Sequence, residues 1–378
     1  MVNVQWSIIL VALLLALPLS TVPAQKKLKD KVIAYMDSSN VKGTDPKYIG
    51  LSKKPWAVTL NSTFEQLRLT MRSDYHQRDA DYDISYDTYM KILPRVSSSL
   101  GLWVGYRGFG FGYGLSLSGN DGMDLTINMV TPSYGLNVRF DRFYYNNPVF
   151  GINNFIVNGR TASDDFFESR EYSLKNSMKI TSLIVDGFWI FNKRKFSYSA
   201  AYDQSTRQLR SAGSFIAGMM FYFQKYDLRL DPSSDWYSDA NENITFLTSN
   251  DIDKFKVYQG SIGAGYSYNW VPRRNWVVNV TAMPMITIVN KLSVHQLDLR
   301  FVNDGDPDRE DIQLIDKGGK TDNGGLRLNL DLQLAVVYWH KDWFFKVTGQ
   351  AHHFRGTYDL ITTKFFDWNA KASVGYTF

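Results

Sequence analysis

The chain of 378 residues contains no cysteine, and this excludes several classes of protein at once. Without a thiol there is no disulfide scaffold, thiolate zinc site, cysteine nucleophile or lipid-anchored N-terminal cysteine. Charge of one sign is also missing, because 42 Lys and Arg stand against 37 Asp and Glu. This near balance argues against a disordered chain and against a nucleic-acid-binding tail. A mean hydropathy of −0.27 argues against a bundle of membrane helices.

Long apolar runs are scarce, and the one present lies at the N-terminus. Residues 6–19 read WSIILVALLLALPL, a length that suits the core of a signal peptide better than a membrane span. Val22-Pro23-Ala24 then resembles a small-residue cleavage site. We expect a signal peptide over 1–24 and a periplasmic N-terminal segment over 25–55. An uncleaved anchoring helix is the alternative. The remaining chain is then either exported and soluble or in a membrane as strands.

Aromatic residues are abundant, with 10 Trp, 23 Tyr and 24 Phe, and they follow a strand period. Large apolar side chains alternate with Gly or Ser over 109–117, with polar residues over 326–338, and with mostly polar residues over 366–378. Successive strand side chains point to opposite faces, so each segment has one apolar and one small or polar face. A soluble sandwich also alternates, but strands of about 10–15 residues exceed its usual length of about 5–6.

The pattern predicts an all-β fold, a transmembrane antiparallel up-and-down β-barrel of about twelve strands over 56–378, with ten to fourteen as the range. Outer-membrane barrels have an even strand number, short periplasmic turns and long external loops. Long loops are expected at 72–88, 226–255 and 291–324. By the same count 144–171 should be periplasmic, as extended strand ends, a hairpin or a plug. The predicted strands are 56–71, 89–106, 109–118, 124–143, 172–191, 195–205, 210–225, 256–271, 275–290, 325–340, 342–354 and 366–378.

Tryptophans cluster beside the predicted tight turns. Indole has an apolar body and a polar N–H, which suits the headgroup level of a membrane. Hydrophobic clustering at hairpin ends is the alternative explanation. The expected girdle consists of Trp56, Trp270, Trp276, Trp339 and Trp343. The terminal aromatic Phe378 continues the apolar face of the last strand, and we expect it to act as an assembly signal.

Three segments resemble a known family. GLWVGYRGFGFGYGLSLSG, DGFWIFN and FNKRKFSYSAAYDQSTRQLRSAGSF resemble the domain-of-unknown-function family number 4421 of Bacteroides-type bacteria. The resemblance extends over most of the mature chain and implies an outer-membrane barrel. It implies no catalytic or ligand-binding residue. Within it, the polar segment 197–213 is read as a plain hairpin, with a lumenal or partner-facing surface as the alternative.

The face opposite the lipid is expected to carry both signs of charge. A strongly selective pore tends to have rings of one sign. Mixed charge predicts ion pairs across the lumen and a narrow or partly closed channel. The candidate lumen residues are Asn61, Glu65, Arg68, Arg139, Asp141, Asn279, Arg327, Asp331, Lys346, Gln350, Asp367 and Lys371.

The sequence contains no strong motif for phosphate binding, calcium binding or hydrolysis. The phosphate-loop resemblance of GGKT at 318–321 fails because position 314 is Leu314 rather than glycine. Asp304, Asp306 and Asp308 form a weak calcium candidate, but the following positions do not match an EF-hand loop. A barrel hydrolase would need a histidine such as His352 beside a nucleophile, and no spacing supports one. No catalytic residue and no cofactor are therefore assigned.

The favoured function is an outer-membrane barrel of a Gram-negative bacterium, acting as a narrow pore or small-solute transport barrel. The alternative is a non-transporting scaffold or partner subunit of a surface or assembly complex, with a barrel hydrolase ranked below both. Expected partners are outer-membrane lipid, lipopolysaccharide, the barrel-assembly machinery and an unidentified protein, but not nucleic acid.

Overall fold

A computed structural model describes residues 33–34, 42–52, 54–78, 83–92, 96–118, 122–145, 149–161, 170–171, 178–228, 252–302, 311–358 and 361–378. The expected signal peptide and the carboxylates Asp304, Asp306 and Asp308 lie outside these ranges. Within them, no helix combines the length and the apolar character needed to cross a membrane.

Twelve antiparallel strands form a closed barrel, and the predicted strand number is confirmed. Each strand pairs with its two neighbours in chain order, and the first pairs with the last. The twelve are β2 (Trp56–Arg78), β4 (Ser97–Tyr106), β5 (Phe109–Ser118), β6 (Gly122–Val130), β7 (Tyr134–Tyr145), β11 (Met178–Ile190), β13 (Ala212–Leu228), β14 (Ile252–Trp270), β15 (Trp276–Val302), β17 (Arg327–His340), β18 (Trp343–Thr357) and β19 (Ile361–Thr377).

In the described part of the chain, further strands and a short helix lie outside this ring. These elements are β1 (Ile49–Leu51), β3 (Asp83–Ile92), β8 (Val149–Val157), β9 (Arg160–Thr161), β10 (Arg170–Glu171), α1 (Ser199–Tyr202), β12 (Thr206–Gln208) and β16 (Asp311–Asn323). At one end of the barrel, β3 and β16 extend the wall by pairing with β2 and β15, and β8 pairs with β3. At the other end, β1 pairs with β12 in a separate two-stranded sheet.

Alternation along the strands sorts side chains between lipid-type and lumen faces. On β17, Leu328, Leu330, Leu332 and Leu334 are exposed on the outside, while the intervening Asn329 and Asp331 are buried inside. On β5 the aromatics and leucines point outward and the glycines inward. Because the exterior is apolar and the interior polar, the barrel has the distribution expected of a membrane-spanning strand wall.

The inward glycines make room for one large side chain. Trp103 of β4 points into the lumen, and a Cβ at Gly110 would lie 2.0 Å from its ring. Gly105 faces the same ring at an equally close distance. The Trp103 indole N–H donates a 2.8 Å hydrogen bond to Asn128 Oδ1. The inward-facing glycines therefore leave space for the Trp103 indole against the inner side of the barrel wall.

Two predicted strands are wrong, and the errors cancel in the count. The segment 124–143 is two strands, because Thr131 and Tyr134 close a tight turn through a 2.8 Å backbone hydrogen bond. The segment 195–205 contains no strand, and α1 occupies its centre. Splitting one strand and removing another leaves twelve.

These two errors also reversed one end assignment. With β6 and β7 counted separately, the described part of 144–171 follows the far end of β7, where β8 lies on the same side as β3 and β16. We call this the loop end, and the side with the connections 107–108, 131–133, 271–275 and 341–342 the short-turn end. Most of the expected loop 226–255 lies outside the described residues. The expected loops at 72–88 and 291–324 are partly strand, since β2 and β15 extend into them.

Candidate functional site

The connection 192–211 folds back into the barrel from the short-turn end and, with residues 42–52, forms what we call the plug. Its core is a set of small hydroxyl contacts, in which the Ser197 hydroxyl shares hydrogen bonds of 3.0 Å with Ser199 and 2.6 Å with Thr206. The Gln208 side chain accepts from the Ser197 backbone N–H at 2.9 Å and donates to two carbonyls of the same loop. A polar segment can therefore be buried because its groups satisfy one another.

Polar contacts join the plug to the inner wall. Tyr202 donates to Asn279 Oδ1 at 2.9 Å, and Tyr198 donates to Gln333. The Asn269 amide donates to the Ser197 carbonyl at 2.7 Å. Apolar contacts also hold the plug, because Phe196 and Tyr198 are buried in the hydrophobic core and the Tyr198 ring centre lies 4.4 Å from that of Phe188.

Arg207 fixes the outer edge of the plug. Its guanidinium lies 4.1 Å from the ring centre of Trp339, and its Nη2 donates to the Lys341 carbonyl at 2.8 Å. Trp339 in turn packs with Val337 and Phe344 inside the short-turn end. Trp339 is only 2% exposed, so its predicted place in the outer girdle is wrong. Tyr338 and His340 take the outward positions beside it, as strand alternation requires.

A buried carboxylate lies within the plug. Asp203 Oδ1 accepts the Ser205 backbone N–H at 2.8 Å, while its other oxygen has no partner among the described residues. Burial raises the pKa of Asp203 to about 7, and the hydrogen bonds from Ser205 reduce the shift. Burial also raises the pKa values of Tyr198 and Tyr202, which keeps both phenols neutral.

A cavity of about 170 Å³ lies in the lumen directly beyond the plug. Tyr198 and Tyr202 form its floor, and inward side chains of the barrel strands form its sides. Most of these side chains are polar, and they include Asn61, Trp103, Arg139, Asp186, Lys346, Gln350, His352, Asn369 and Lys371.

Two lysines belong to one side of this cavity. Lys346 Nζ donates to the Tyr202 carbonyl at 2.5 Å and to Gln204 Oε1 at 3.1 Å, so it contacts the plug. Lys371 lies on the neighbouring strand, two residues from Ser373, which is opposite Lys346. Within the described residues Lys371 Nζ has neither a hydrogen bond nor an ion pair.

A layer of ion pairs borders the cavity toward the loop end. Arg139 donates to Asp141 on its own strand at 3.0 Å and to Asp367 of β19 at 2.7 Å. His352 Nδ1 lies 3.1 Å from Asp331 Oδ1, and both side chains are almost completely buried. The register places His352 between Asp331 and Asp367 on its two neighbouring strands.

Beyond the ion pairs, buried aromatic side chains occupy the lumen of the loop half, beside buried polar residues such as Gln259 and Asn290. Tyr222 stacks on Phe354 with ring centres 4.9 Å apart, and Tyr226 stacks on Phe255 at 4.3 Å. Phe365 joins both pairs and is fully buried. We call these five rings the aromatic layer. The cavity thus has the plug on one side and the ionic and aromatic layers on the other.

The structure places most predicted lumen residues on the inner face, with one error. Arg68 points outward and is exposed, because it is three positions from Glu65 and an odd step reverses the face. Arg139, Asp141 and Asp367 are brought together, whereas Arg327 lies apart near the loop end. The inward set is Asn61, Glu65, Arg139, Asp141, Asn279, Arg327, Asp331, Lys346, Gln350, Asp367 and Lys371.

Four of the five girdle tryptophans are exposed on the outer face at the short-turn end: Trp56, Trp270, Trp276 and Trp343. Phe378 lies in the same band, where its backbone exchanges two hydrogen bonds with Trp56 and its ring stacks at 6.5 Å on that indole. The role of Phe378 in assembly stays a prediction.

The sequence did not single out Trp103, Asp186, Tyr198 or Tyr202 as site residues. Tyr198 and Tyr202 of the plug were missed because 195–205 was predicted to be a strand. The inward direction of Trp103 could have been predicted from strand alternation, because Leu102 and Val104 on either side of it belong to the apolar outer face.

The described residues bring together neither the serine and histidine that a barrel hydrolase needs nor a set of metal-ligating side chains. Ser373 is opposite Lys346, six residues along β18 from His352, which is roughly 20 Å in a strand. Among the described residues, no three metal-ligating side chains of His, Cys, Asp or Glu come together.

Comparison with known proteins identifies the family. The family described as domain of unknown function DUF4421 matches residues 44–378, and the chain belongs to it. No curated protein matches the chain.

Solved structures similar to this chain are outer-membrane β-barrels, at low sequence identity. The translocator domain of autotransporter NalP from Neisseria meningitidis is 10% identical, with a TM-score of 0.32 and coverage of 94% of this chain and 96% of that chain. The outer membrane protease OmpT from Escherichia coli is 7% identical, with a TM-score of 0.35 and coverage of 85% and 97%. A FadL homologue from Pseudomonas aeruginosa is 10% identical, with a TM-score of 0.26 and coverage of 86% and 90%.

Proposed function

We propose that the chain is an integral outer-membrane barrel that moves a small polar solute through a lumen with two closures. The observation that carries this proposal is the polar cavity enclosed between the plug and the ionic and aromatic layers. A cavity between two barriers allows a solute to be held while one barrier opens at a time.

The nature of the two barriers supports movement through the lumen. The plug is docked through hydrogen bonds and one cation–π contact, each worth little enough to break and re-form, and through the buried rings of Phe196 and Tyr198. The aromatic layer is an apolar constriction, and such constrictions can gate by excluding water. The exposed leucines and aromatics of the outer face support insertion in the membrane.

Short-turn ends of outer-membrane barrels face the periplasm, so the plug is proposed to open on that side. The segment 42–52 of the proposed N-terminal periplasmic region is part of the plug through its pairing with β12. The loop end would then face outward, toward lipopolysaccharide.

A crosslinking experiment tests the proposal. The chain has no cysteine, so the double variant Arg207→Cys/Trp339→Cys can be bridged by a short bis-maleimide without side reactions. In proteoliposomes, uptake of small polar solutes should be saturable in the untreated double variant and stop after bridging. Uptake that continues after bridging would contradict the proposed role of the plug. The single variant Arg207→Cys with the same reagent is the control.

The second candidate is a non-transporting scaffold, which the aromatic layer favours because it fills the loop half of the lumen. A complete lack of uptake by the wild-type barrel, together with a stoichiometric partner after purification, would select this candidate instead.

A further inference from the structure

Lys346 and Lys371 direct two basic side chains to the same side of the cavity. Both point inward from adjacent strands, and the residue opposite Lys346 is Ser373, two positions from Lys371. Such diagonal neighbours on one sheet face lie roughly 7–8 Å apart. Their side chains are long enough to direct both ammonium groups at one small molecule.

No carboxylate neutralises either lysine within ion-pair distance in the described part of the chain. Lys346 uses neutral acceptors, the Tyr202 carbonyl and Gln204 Oε1. Lys371 has no polar partner there. The other cation of the cavity, Arg139, is already bonded to Asp141 and Asp367. Asp203 and Asp141 interact with Lys346 and Lys371 only from beyond ion-pair distance, so the lysine side of the cavity has no carboxylate in contact with it.

Two like charges in a low-dielectric interior oppose each other, and an anion between them relieves this repulsion. The surrounding side chains add neutral hydrogen-bonding groups, including Asn61, Gln350 and Asn369. Amide groups of this kind can bind the oxygens of an oxyanion without adding a competing negative charge. Among the described residues, the one acid that lines the cavity is Asp186, which belongs to β11, and β11 is not adjacent to either lysine strand.

We propose that the cavity binds a small oxyanion, a carboxylate or a phosphate, between Lys346 and Lys371. The volume of about 170 Å³ limits the ligand. A dry engineered cavity of about 150 Å³ holds one benzene, so a ligand of roughly six to eight non-hydrogen atoms fits. This inference rests on the proposed function, because it names the solute class that the barrel would move.

Equilibrium binding after refolding tests the site without requiring passage through the barrel. The protein is refolded in detergent with radiolabelled succinate or phosphate and then dialysed against the same probe. We expect one probe to bind the wild-type barrel at about one molecule per chain, and Lys371→Met to weaken binding at least tenfold. Lys364→Met, an exposed lysine on the outer face of the same strand, should bind as the wild type does. Erythritol, an uncharged compound with the same carbon number as succinate, should not compete.

The two probes separate the sources of the oxyanion, since succinate reports a carboxylate site and phosphate a phosphate site. Absence of binding of both probes to the wild type, or equal binding by Lys371→Met and Lys364→Met, would overturn the inference. If Lys371→Met does not fold, Lys346→Met provides the same comparison. Binding without uptake in proteoliposomes would contradict the proposed transport and support the oxyanion site. Uptake without binding would support transport and contradict the oxyanion site.

Discussion

Arg139 of β7 donates a 2.7 Å hydrogen bond to Asp367 of β19, although four strands separate β7 and β19 along the shorter path round the barrel. The same guanidinium binds Asp141 at 3.0 Å. One arginine thus joins two acids across the lumen. The mixed lumen charge expected from the sequence takes the form of a closing layer rather than of separate wall pairs.

Replacing Arg139 by Met should destabilise the barrel strongly. The substitution leaves Asp141 and Asp367 buried without their cation, and breaking a buried pair from one side costs about 3–5 kcal/mol. The free energy of unfolding in urea, measured in detergent, checks this. Adding Asp141→Asn and Asp367→Asn to Arg139→Met should restore part of the loss, because the unpaired charges are removed. A triple variant no more stable than the single variant would contradict the pairing.

Loss of the Arg207 side chain should loosen the plug. The cation–π contact with Trp339 is worth roughly 0.5–2 kcal/mol, so the open population should rise about 2- to 30-fold in Arg207→Ala. A cysteine introduced at the fully buried Ala200 reports opening through its rate of maleimide labelling. Arg273→Ala, at an exposed turn on the same end, should leave the rate unchanged. Equal rates in both variants would argue against this docking contact.

Plug stability should fall as pH rises from about 4 to about 7. The pKa of Asp203 is near its usual value in the unfolded chain and about 7 in the plug, so the folded form retains its proton over this range. Its stability contribution is fully present below pH 4 and is lost as pH passes 7. Asp203→Asn should remove this dependence. At pH 8 it should stabilise the docked plug by up to roughly 1.4 kcal/mol per unit of pKa shift. The labelling rate of the Ala200→Cys reporter, taken as the ratio of Asp203→Asn to the parent at each pH from 4 to 8, measures both effects, because the pH dependence of the thiol itself cancels in that ratio.

Arginine substitutions on the outer face should destabilise the barrel by an amount that depends on their depth in the membrane. Leu332→Arg, at the middle of β17, should cost about 2–4 kcal/mol in lipid, because its side chain is 43% exposed on the outer wall. Leu326→Arg, just before the same strand at the loop end, should cost about 0–1 kcal/mol. Unfolding in lipid vesicles compares the two. Equal costs would be inconsistent with a membrane band centred on β17.

Period-2 alternation was sufficient to predict the barrel and most inward residues, whereas the strand number was right because two errors cancelled. It failed where a short turn hid inside a continuous pattern, since Thr131-Pro132-Ser133 separates two strands of similar composition. It failed again at 195–205, where Phe196, Tyr198 and Tyr202 alternate with polar or small residues as they would in a wall strand. In the structure Phe196 and Tyr198 are buried inside the barrel and do not face outward, which the local alternation does not reveal.

The candidate site was less accessible to sequence analysis than the fold. Arg68 and Trp339 were each assigned to the wrong face of their strand. For Trp339 the error was avoidable, because Leu334, Val336 and Tyr338 already define the outward-facing positions of β17. The cavity itself depends on how far the plug enters the lumen. That depth follows from contacts such as those of Tyr202 with Asn279, which are distant in sequence and carry no local signal.

Single-channel recording in planar bilayers tests the closed lumen most directly. The plug, the ion-pair layer and the aromatic layer should leave the wild-type barrel without a steady conductance, apart from brief openings. A barrel containing Arg207→Ala should open more often, at the same step size. A persistent open level in the wild-type protein would contradict the central claim that the lumen is closed on both sides of its polar cavity.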